Sequence, residues 1–211
     1  MAGVKQFDES EVLDRAMRLF WRHGYAATSI RDLTAGTGIN RGSLYAAFGS
    51  KQGLFLAVLD YYGEKVGNPL MRELADPDPR RAIEQMLESI IKRTSDPKWP
   101  RGCLQTNTAL ECPNVGDEIS RKIAERFGQQ ESAIYRMLRR AQAAGLIDQA
   151  GDARALARFF TGVAHALNVV NKASADPAIL RDMVKVALSV LDIRKHVGPK
   201  SIRRKRETRR D

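Results

Sequence analysis

The fold of this chain is decided by residues 28–51, which read TSIRDLTAGTGINRGSLYAAFGSK. Short polar side chains stand where helices would begin: Thr28 or Ser29, then Asn40, then Ser50. Their oxygens can accept from the free N–H groups of a first helical turn. Gly38 is suited to the positive φ of a tight turn. The segment therefore predicts two short helices joined by a turn, with another helix starting at Lys51.

The second of these helices has a polar first turn. Residues 41–43, Arg-Gly-Ser, carry almost no apolar bulk, whereas Leu44 and Phe48 are four positions apart and point back into the domain. Lys51 begins the next helix, where a cation is unfavourable for the helix dipole unless an anion lies nearby. A partner that supplies phosphate groups would account for both features.

The stretch 40–51, with a match reaching back to Val12, resembles the helix-turn-helix of the TetR family of dimeric transcriptional regulators. The resemblance implies an all-α protein of about nine helices. An N-terminal three-helix DNA-binding head would precede a helical body for ligand binding and dimerisation. Ala47 stands where many members carry His or Tyr, a departure that bears on one expected backbone contact.

The resemblance also assigns roles at the DNA. Phosphate contacts are expected from Ser29, Tyr45 and Lys51, and base-edge contacts from the start of the second helix and from Arg31. An arginine that pairs bidentately with guanine discriminates by about 1–3 kcal/mol. The alternatives are a solvated salt bridge for Arg31 and packing within the head for Tyr45. The complete expected set is Ser29, Arg31, Asn40, Arg41, Gly42, Ser43, Tyr45 and Lys51.

Breaks in the helical pattern divide the chain. We expect a head at 1–50, a connecting helix at about 51–66, a regulatory and dimerisation domain at 67–196 and a basic, disordered tail at 197–211. Gly67-Asn68-Pro69 is expected to end or kink the connecting helix. In the family, the last two helices pair with their copies. Phe159, Phe160 and Leu188 would otherwise form an exposed apolar surface.

The charge is concentrated at the C-terminus. Residues 194–211 hold nine lysines and arginines against Glu207 and Asp211, so +7 of the chain's net +10 lies there and +3 elsewhere. We expect the tail to add sequence-independent attraction to phosphates. A solvated terminus without a role is the alternative.

Several classes of protein are disfavoured. No run of about 18 apolar residues and no signal-like N-terminus is present, which predicts a cytoplasmic protein without a membrane partner. The histidines at 23, 165 and 196 are scattered, and Gly36-Thr37-Gly38 is a turn, so neither a metal site, a cofactor site nor an enzyme is expected. A helical adaptor protein remains an alternative, but it would not explain residues 40–51.

Regulation by an unknown small-molecule effector follows from the resemblance, which implies that an apolar ligand moves the two heads apart. Aromatic and methionine side chains of the body are candidates for the lining, although ordinary core packing explains them equally well. These candidates are Tyr62, Trp99, Phe127, Tyr135 and Met137.

A second regulatory hypothesis concerns two cysteines. The segment containing Cys103 and Cys112 is similar to that of TetR-type repressors that sense quinones and other electrophiles. A position near a helix N-terminus, close to Arg101, would favour the Cys103 thiolate. The alternative is a small buried hydrophobe, which free cysteines commonly are.

Overall fold

The computed structural model describes residues 7–111, 115–174 and 176–192, and none of these lies in a β-strand. This confirms the predicted all-α class. Cys112 and the tail at 197–211 fall outside the described residues. The α-helices are α1 (Glu9–His23), α2 (Ile30–Thr37), α3 (Arg41–Phe48), α4 (Lys51–Tyr62), α5 (Asn68–Arg72), α6 (Pro79–Ser95), α7 (Leu104–Glu111), α8 (Asp117–Ala143), α9 (Ala153–Ala173) and α10 (Pro177–Asp192).

The caps expected in the head are present. Ser29, Asn40 and Ser50 each accept a hydrogen bond from the backbone N–H three residues later. Gly38, with φ of 79°, adopts the left-handed conformation at the end of α2. Local side-chain chemistry therefore sets where the three helices begin and how the chain turns between α2 and α3.

The helix after the head does not end where the sequence suggested. A π-helical segment, Gly63–Gly67, joins α4 to α5, and a 3₁₀ turn, Glu73–Ala75, follows. Pro69 is tolerated because it lies in the first turn of α5, where a missing N–H costs little. We call the uninterrupted helical segment from α4 through the π-helical segment to α5 the α4–α5 rod. If this rod is counted as one helix, the described residues form nine helices, as predicted.

Two hydrophobic cores share the long helix α8. One core combines α1–α4 with Leu104 of α7 and with Ile119 and Ile123 from the first half of α8. The other combines α6, α9 and α10 with Ile134 and Leu138 from the second half of α8. The head is thus packed directly onto the body across the expected boundary at residue 50, which stays a prediction.

The outer face of α9 and α10 differs from expectation in detail. Phe160 and Leu188 are buried within the chain's own second core, because α9 and α10 pack on each other and on α6. Phe159 is exposed as expected, and it is joined by Ile179 and by Val186, which is 69% exposed. The apolar surface is therefore real, but it consists partly of other side chains.

Within the described ranges, no helix has the length and apolar character needed to cross a membrane.

Candidate functional site

The start of α3 presents the side chains expected to read DNA. Arg41 is exposed, and its guanidinium carbon lies 5.5 Å from the centroid of the Tyr45 ring, one turn further along. Tyr45 is itself 37% exposed, so it is available to a partner and is not buried in the head. A Cβ at Gly42 would come within 3.3 Å of the Asn40 side-chain oxygen, the atom that caps the helix by accepting from the N–H of Ser43. A small residue at 42 keeps this cap undisturbed.

At the start of α2, Ser29 and Asp32 form a reciprocal capping box. The Ser29 hydroxyl also donates to the Asp32 carboxylate at 2.6 Å. Hydrogen bonds from Ser29, with smaller contributions from the charges of His23 and Arg31, lower the pKa of Asp32. Arg31 is exposed on the same short helix as the box, two turns before the turn that leads into α3.

Lys51 is held against the turn between α1 and α2. Its Nζ lies 4.5 Å from the centroid of the Tyr25 ring and 3.4 Å from the carbonyl oxygen of Ala26. Partial burial lowers the pKa of Lys51, while the charge of Glu111 acts in the opposite direction. The cation is thus partly withdrawn from water at a helix N-terminus, the location that favours a nearby anion.

The same turn is fastened to α7 by a residue that sequence reasoning missed. The two carboxylate oxygens of Glu111 accept the backbone N–H groups of Tyr25, at 3.2 Å, and Ala26, at 3.1 Å. A Cβ at Gly24, which has φ of +84°, would lie 2.6 Å from a Glu111 oxygen. The sequence indicated only that Gly24 ends α1; no local signal relates it to a residue far along the chain.

A cavity of about 270 Å³ lies in the body, between the α4–α5 rod, α6, the start of α7, α8 and α9. Among the residues expected to line a ligand chamber, Tyr62 does so. Polar and charged side chains contribute much of the wall, a feature that apolar periodicity could not reveal. Those used below are Arg93, Cys103, Gln105, Arg126, Arg136 and His165.

The other expected lining residues lie elsewhere. Trp99 packs on the indole of α1, with 5.7 Å between ring centroids, and Met137 belongs to the second core. Phe127 packs on the ring of the cavity residue His165, with 4.0 Å between centroids. Tyr135 lies beneath an arginine of α9 at 3.8 Å. These side chains pack against neighbouring helices, as apolar residues at helical spacing commonly do.

In one part of the cavity wall, the end of α4 contacts the residue that precedes α7. The Tyr62 hydroxyl donates to Sγ of Cys103 at 3.2 Å, and burial raises the pKa of Tyr62 well above its ordinary value. Cys103 is half-buried and precedes α7 directly. The cavity therefore contacts the two helices that connect it with the head. These are α4, which leaves the head, and α7, which contacts the head through Glu111.

The cavity residue His165, which lies in the part of the wall formed by α9, is uncharged near neutral pH. Burial lowers the pKa of its imidazole from 6.5 to about 4. Its Nδ1 lies 3.1 Å from the Thr106 hydroxyl. The ring therefore acts in this wall as a neutral hydrogen-bonding group.

Family comparison agrees with this geometry in both halves of the chain. Residues 12–58 match the family model described as bacterial regulatory proteins, tetR family, and residues 79–187 match a tetracyclin repressor-like C-terminal domain. The chain belongs to the TetR family. It is therefore a DNA-binding transcriptional regulator and not an enzyme. The adaptor alternative raised by the sequence is not supported.

Similar TetR proteins extend over nearly the whole chain. The uncharacterized regulator YezE of Bacillus subtilis is 35% identical over 91% of this chain and 100% of its own length. The repressor ComR of Escherichia coli is 30% identical over 89% of each chain. Among solved structures, a cysteine mutant of the TetR regulator CifR, complexed with 26-base-pair double-stranded operator DNA, is 31% identical with a TM-score of 0.84. That match covers 89% of this chain and 98% of the CifR chain.

Proposed function

We propose that this TetR protein is a cytoplasmic homodimeric repressor that binds a palindromic operator and releases it when a small molecule enters the body cavity. The observation that carries the proposal is the exposed first turn of α3, with Arg41 beside Tyr45, together with the partly buried cation of Lys51 at the start of α4. Such a surface combines a base-reading side chain with phosphate anchors. The similarity to CifR, which was solved with operator DNA, supports the same use of the head here.

Dimerisation through α9 and α10 is supported by their outer face. Phe159, Ile179 and Val186 are exposed there beside Val163 and Met183. A contiguous apolar patch is costly in water and is typical of an interface. A second copy of the chain placed on this face would form an isologous dimer of two helices from each subunit. Two copies of α3 would then reach successive major grooves, about 34 Å apart.

The route from cavity to DNA follows two helices. Tyr62 lies at the end of α4, and α7 runs from beside Cys103 to Glu111, which holds the turn before α2. A ligand that binds one arrangement of these helices better than another shifts the population of head positions. The two α3 helices then no longer match adjacent grooves, and operator affinity falls.

The test is a gel-shift titration of a labelled fragment that spans the protein's own promoter, at stated salt and with excess unlabelled random duplex. Binding that survives the competitor supports sequence-specific recognition. Binding that disappears would leave a basic protein that attaches to phosphates, since charge neutralisation alone gives salt-sensitive, nonspecific affinity. The same titration is made with Arg41→Ala, which should lose binding in the presence of competitor. Arg139→Ala, which removes an exposed arginine of α8 outside the head, is the matched control for the loss of one positive charge.

A second candidate function is thiol-based sensing of electrophiles, favoured by the position of Cys103 in the cavity wall beside the Tyr62 hydroxyl. Covalent modification of this sulfur would alter the contact between α4 and the start of α7. Treatment with N-ethylmaleimide should then lower operator affinity in the wild type and not in Cys103→Ser. Unchanged affinity after complete alkylation, verified by mass, would exclude this role.

A further inference from the structure

The cavity in the body is positively charged. Three arginines, Arg93, Arg126 and Arg136, are among the residues that line it, and no aspartate or glutamate of the described chain is. Formal charge is therefore unbalanced at its wall. Because a partly enclosed site has a lower effective dielectric than water, this charge acts more strongly on a ligand than it would at an open surface.

Neighbouring residues neutralise the three cations only in part. Arg126 pairs with Asp60, but the same carboxylate also pairs with Lys122 at 2.6 Å. Arg93 donates to the carbonyl of Gly102 and to the side-chain oxygen of Asn168, both uncharged acceptors. Arg136 is exposed and forms no hydrogen bond or ion pair within the described part of the chain.

The cavity wall also contains buried polar atoms without partners. The Nε of Arg126 and the Nε2 of Gln105 are buried donors that find no acceptor among the described residues, and the Nε2 of His165 is buried and unpaired as well. A buried donor left without an acceptor costs free energy. Carboxylate, phosphate and sulfonate groups offer several acceptor oxygens and match the planar donor set of arginine.

The remaining wall is apolar and indicates the other half of the ligand. Val66, Leu70 and Met71 of the α4–α5 rod face the cavity with Ile90 of α6 and Ala133 of α8. At about 270 Å³ the cavity is close to the lower end of small-molecule sites, which begin at about 300 Å³. It therefore suits a compact molecule with one charged end and one short hydrocarbon or aryl part.

We propose that the cavity binds a small amphipathic organic anion, with its acidic group at Arg136, in the positive field of Arg93 and Arg126, and its apolar part against the α4–α5 rod. This assignment rests on the proposed function only for its consequence, which is release of the operator. Two classes of ligand have an anionic oxygen group on a short apolar body, namely carboxylates and phosphate esters. The experiment distinguishes between these two classes.

The experiment uses three probes that share a 3-phenylpropyl group: 4-phenylbutyrate, 4-phenylbutyl phosphate and the neutral 4-phenylbutyramide. Their affinities for the full-length, DNA-free protein are measured by isothermal titration calorimetry at pH 7.5. We expect at least one anion to bind about tenfold or more tightly than the amide, since a charge-assisted hydrogen bond is lost with the charge. The anion that binds more tightly shows whether the ligand is a carboxylate or a phosphate ester.

Arg136→Gln is the informative variant, because the exposed side chain of Arg136 forms no hydrogen bond or ion pair in the described structure. The variant should lose most of the anion preference while the affinity for the amide stays the same. Arg139→Gln, on the same helix but outside the cavity lining, should keep the full preference. Thermal unfolding of both variants verifies that they remain folded.

Equal affinity for anions and amide, absence of anion binding at millimolar concentration, or an undiminished preference in Arg136→Gln overturns the assignment. Gel shifts with the same probes separate it from the proposed function. If the protein binds its operator but shows no anion preference, only this inference fails. If anions bind selectively but no operator is recognised, the proposed function fails and the anion site stands.

Discussion

Glu111, the last described residue of α7, accepts the backbone N–H of Tyr25 at 3.2 Å, although the two are 86 positions apart in the chain. This contact places a carboxylate from the body at the turn that leads into the helix-turn-helix. The cavity residue Cys103 immediately precedes the same helix. A single eight-residue helix therefore connects the cavity with the head.

Removal of this link should weaken both stability and regulation. Glu111→Ala loses two hydrogen bonds to a charged acceptor and should lower the free energy of unfolding by about 1–3 kcal/mol, measured by urea denaturation. Any ligand-induced loss of operator affinity should also become smaller. Glu125→Ala, an exposed carboxylate of α8, should change stability by no more than about 0.5 kcal/mol. Equal effects of the two substitutions would argue against a structural role for the link.

The two cations of the head should differ in what they recognise. Arg41→Ala should lose affinity and relax the preference at one base pair, by about 1–3 kcal/mol, because a base-edge contact is lost. Lys51→Ala should weaken all duplexes alike and reduce the salt dependence of binding, because a phosphate contact is lost. Gel shifts on operator variants at two salt concentrations check both. Parallel behaviour of the two variants would refute the assignment of separate roles.

Disruption of the outer face of α9 and α10 should separate the subunits. Val186→Glu introduces a charge at a 69% exposed position of the apolar patch, so the monomer should fold normally while the dimer is destabilised. Light scattering coupled to size-exclusion chromatography should report about half the mass of the wild type, with lost operator affinity. Leu146→Glu, 49% exposed in the connection between α8 and α9, serves as control. A dimeric Val186→Glu would place the interface elsewhere.

His165 should make the protein sensitive to acid. Its pKa is about 4 in the folded chain and near 6.5 when unfolded, so the unfolded state takes up the proton first as pH falls. Its contribution is complete above pH 6.5 and is lost towards pH 4, by at most about 3 kcal/mol. Urea unfolding at several pH values should show a steeper decline for the wild type than for His165→Gln. Identical slopes would mean that the imidazole titrates normally.

Residues close together in sequence determined the helix-turn-helix. The caps at Ser29, Asn40 and Ser50 and the turn at Gly38 depend on hydrogen bonds to residues three or four positions away. The structure contains these hydrogen bonds. These features follow from hydrogen bonds and side-chain spacing along one helix, which the sequence states directly.

The cavity and its link to the head were decided by tertiary structure. Whether an aromatic side chain lines a cavity or packs in a core depends on which helices contact it. Phe127 and Tyr135 pack against side chains of α9, whereas Arg93 and Arg136 line the cavity. The contact of Glu111 with Tyr25 joins distant segments through backbone donors that every residue type except proline possesses. No local pattern encodes such a pairing; only the packing of α7 against the head creates it.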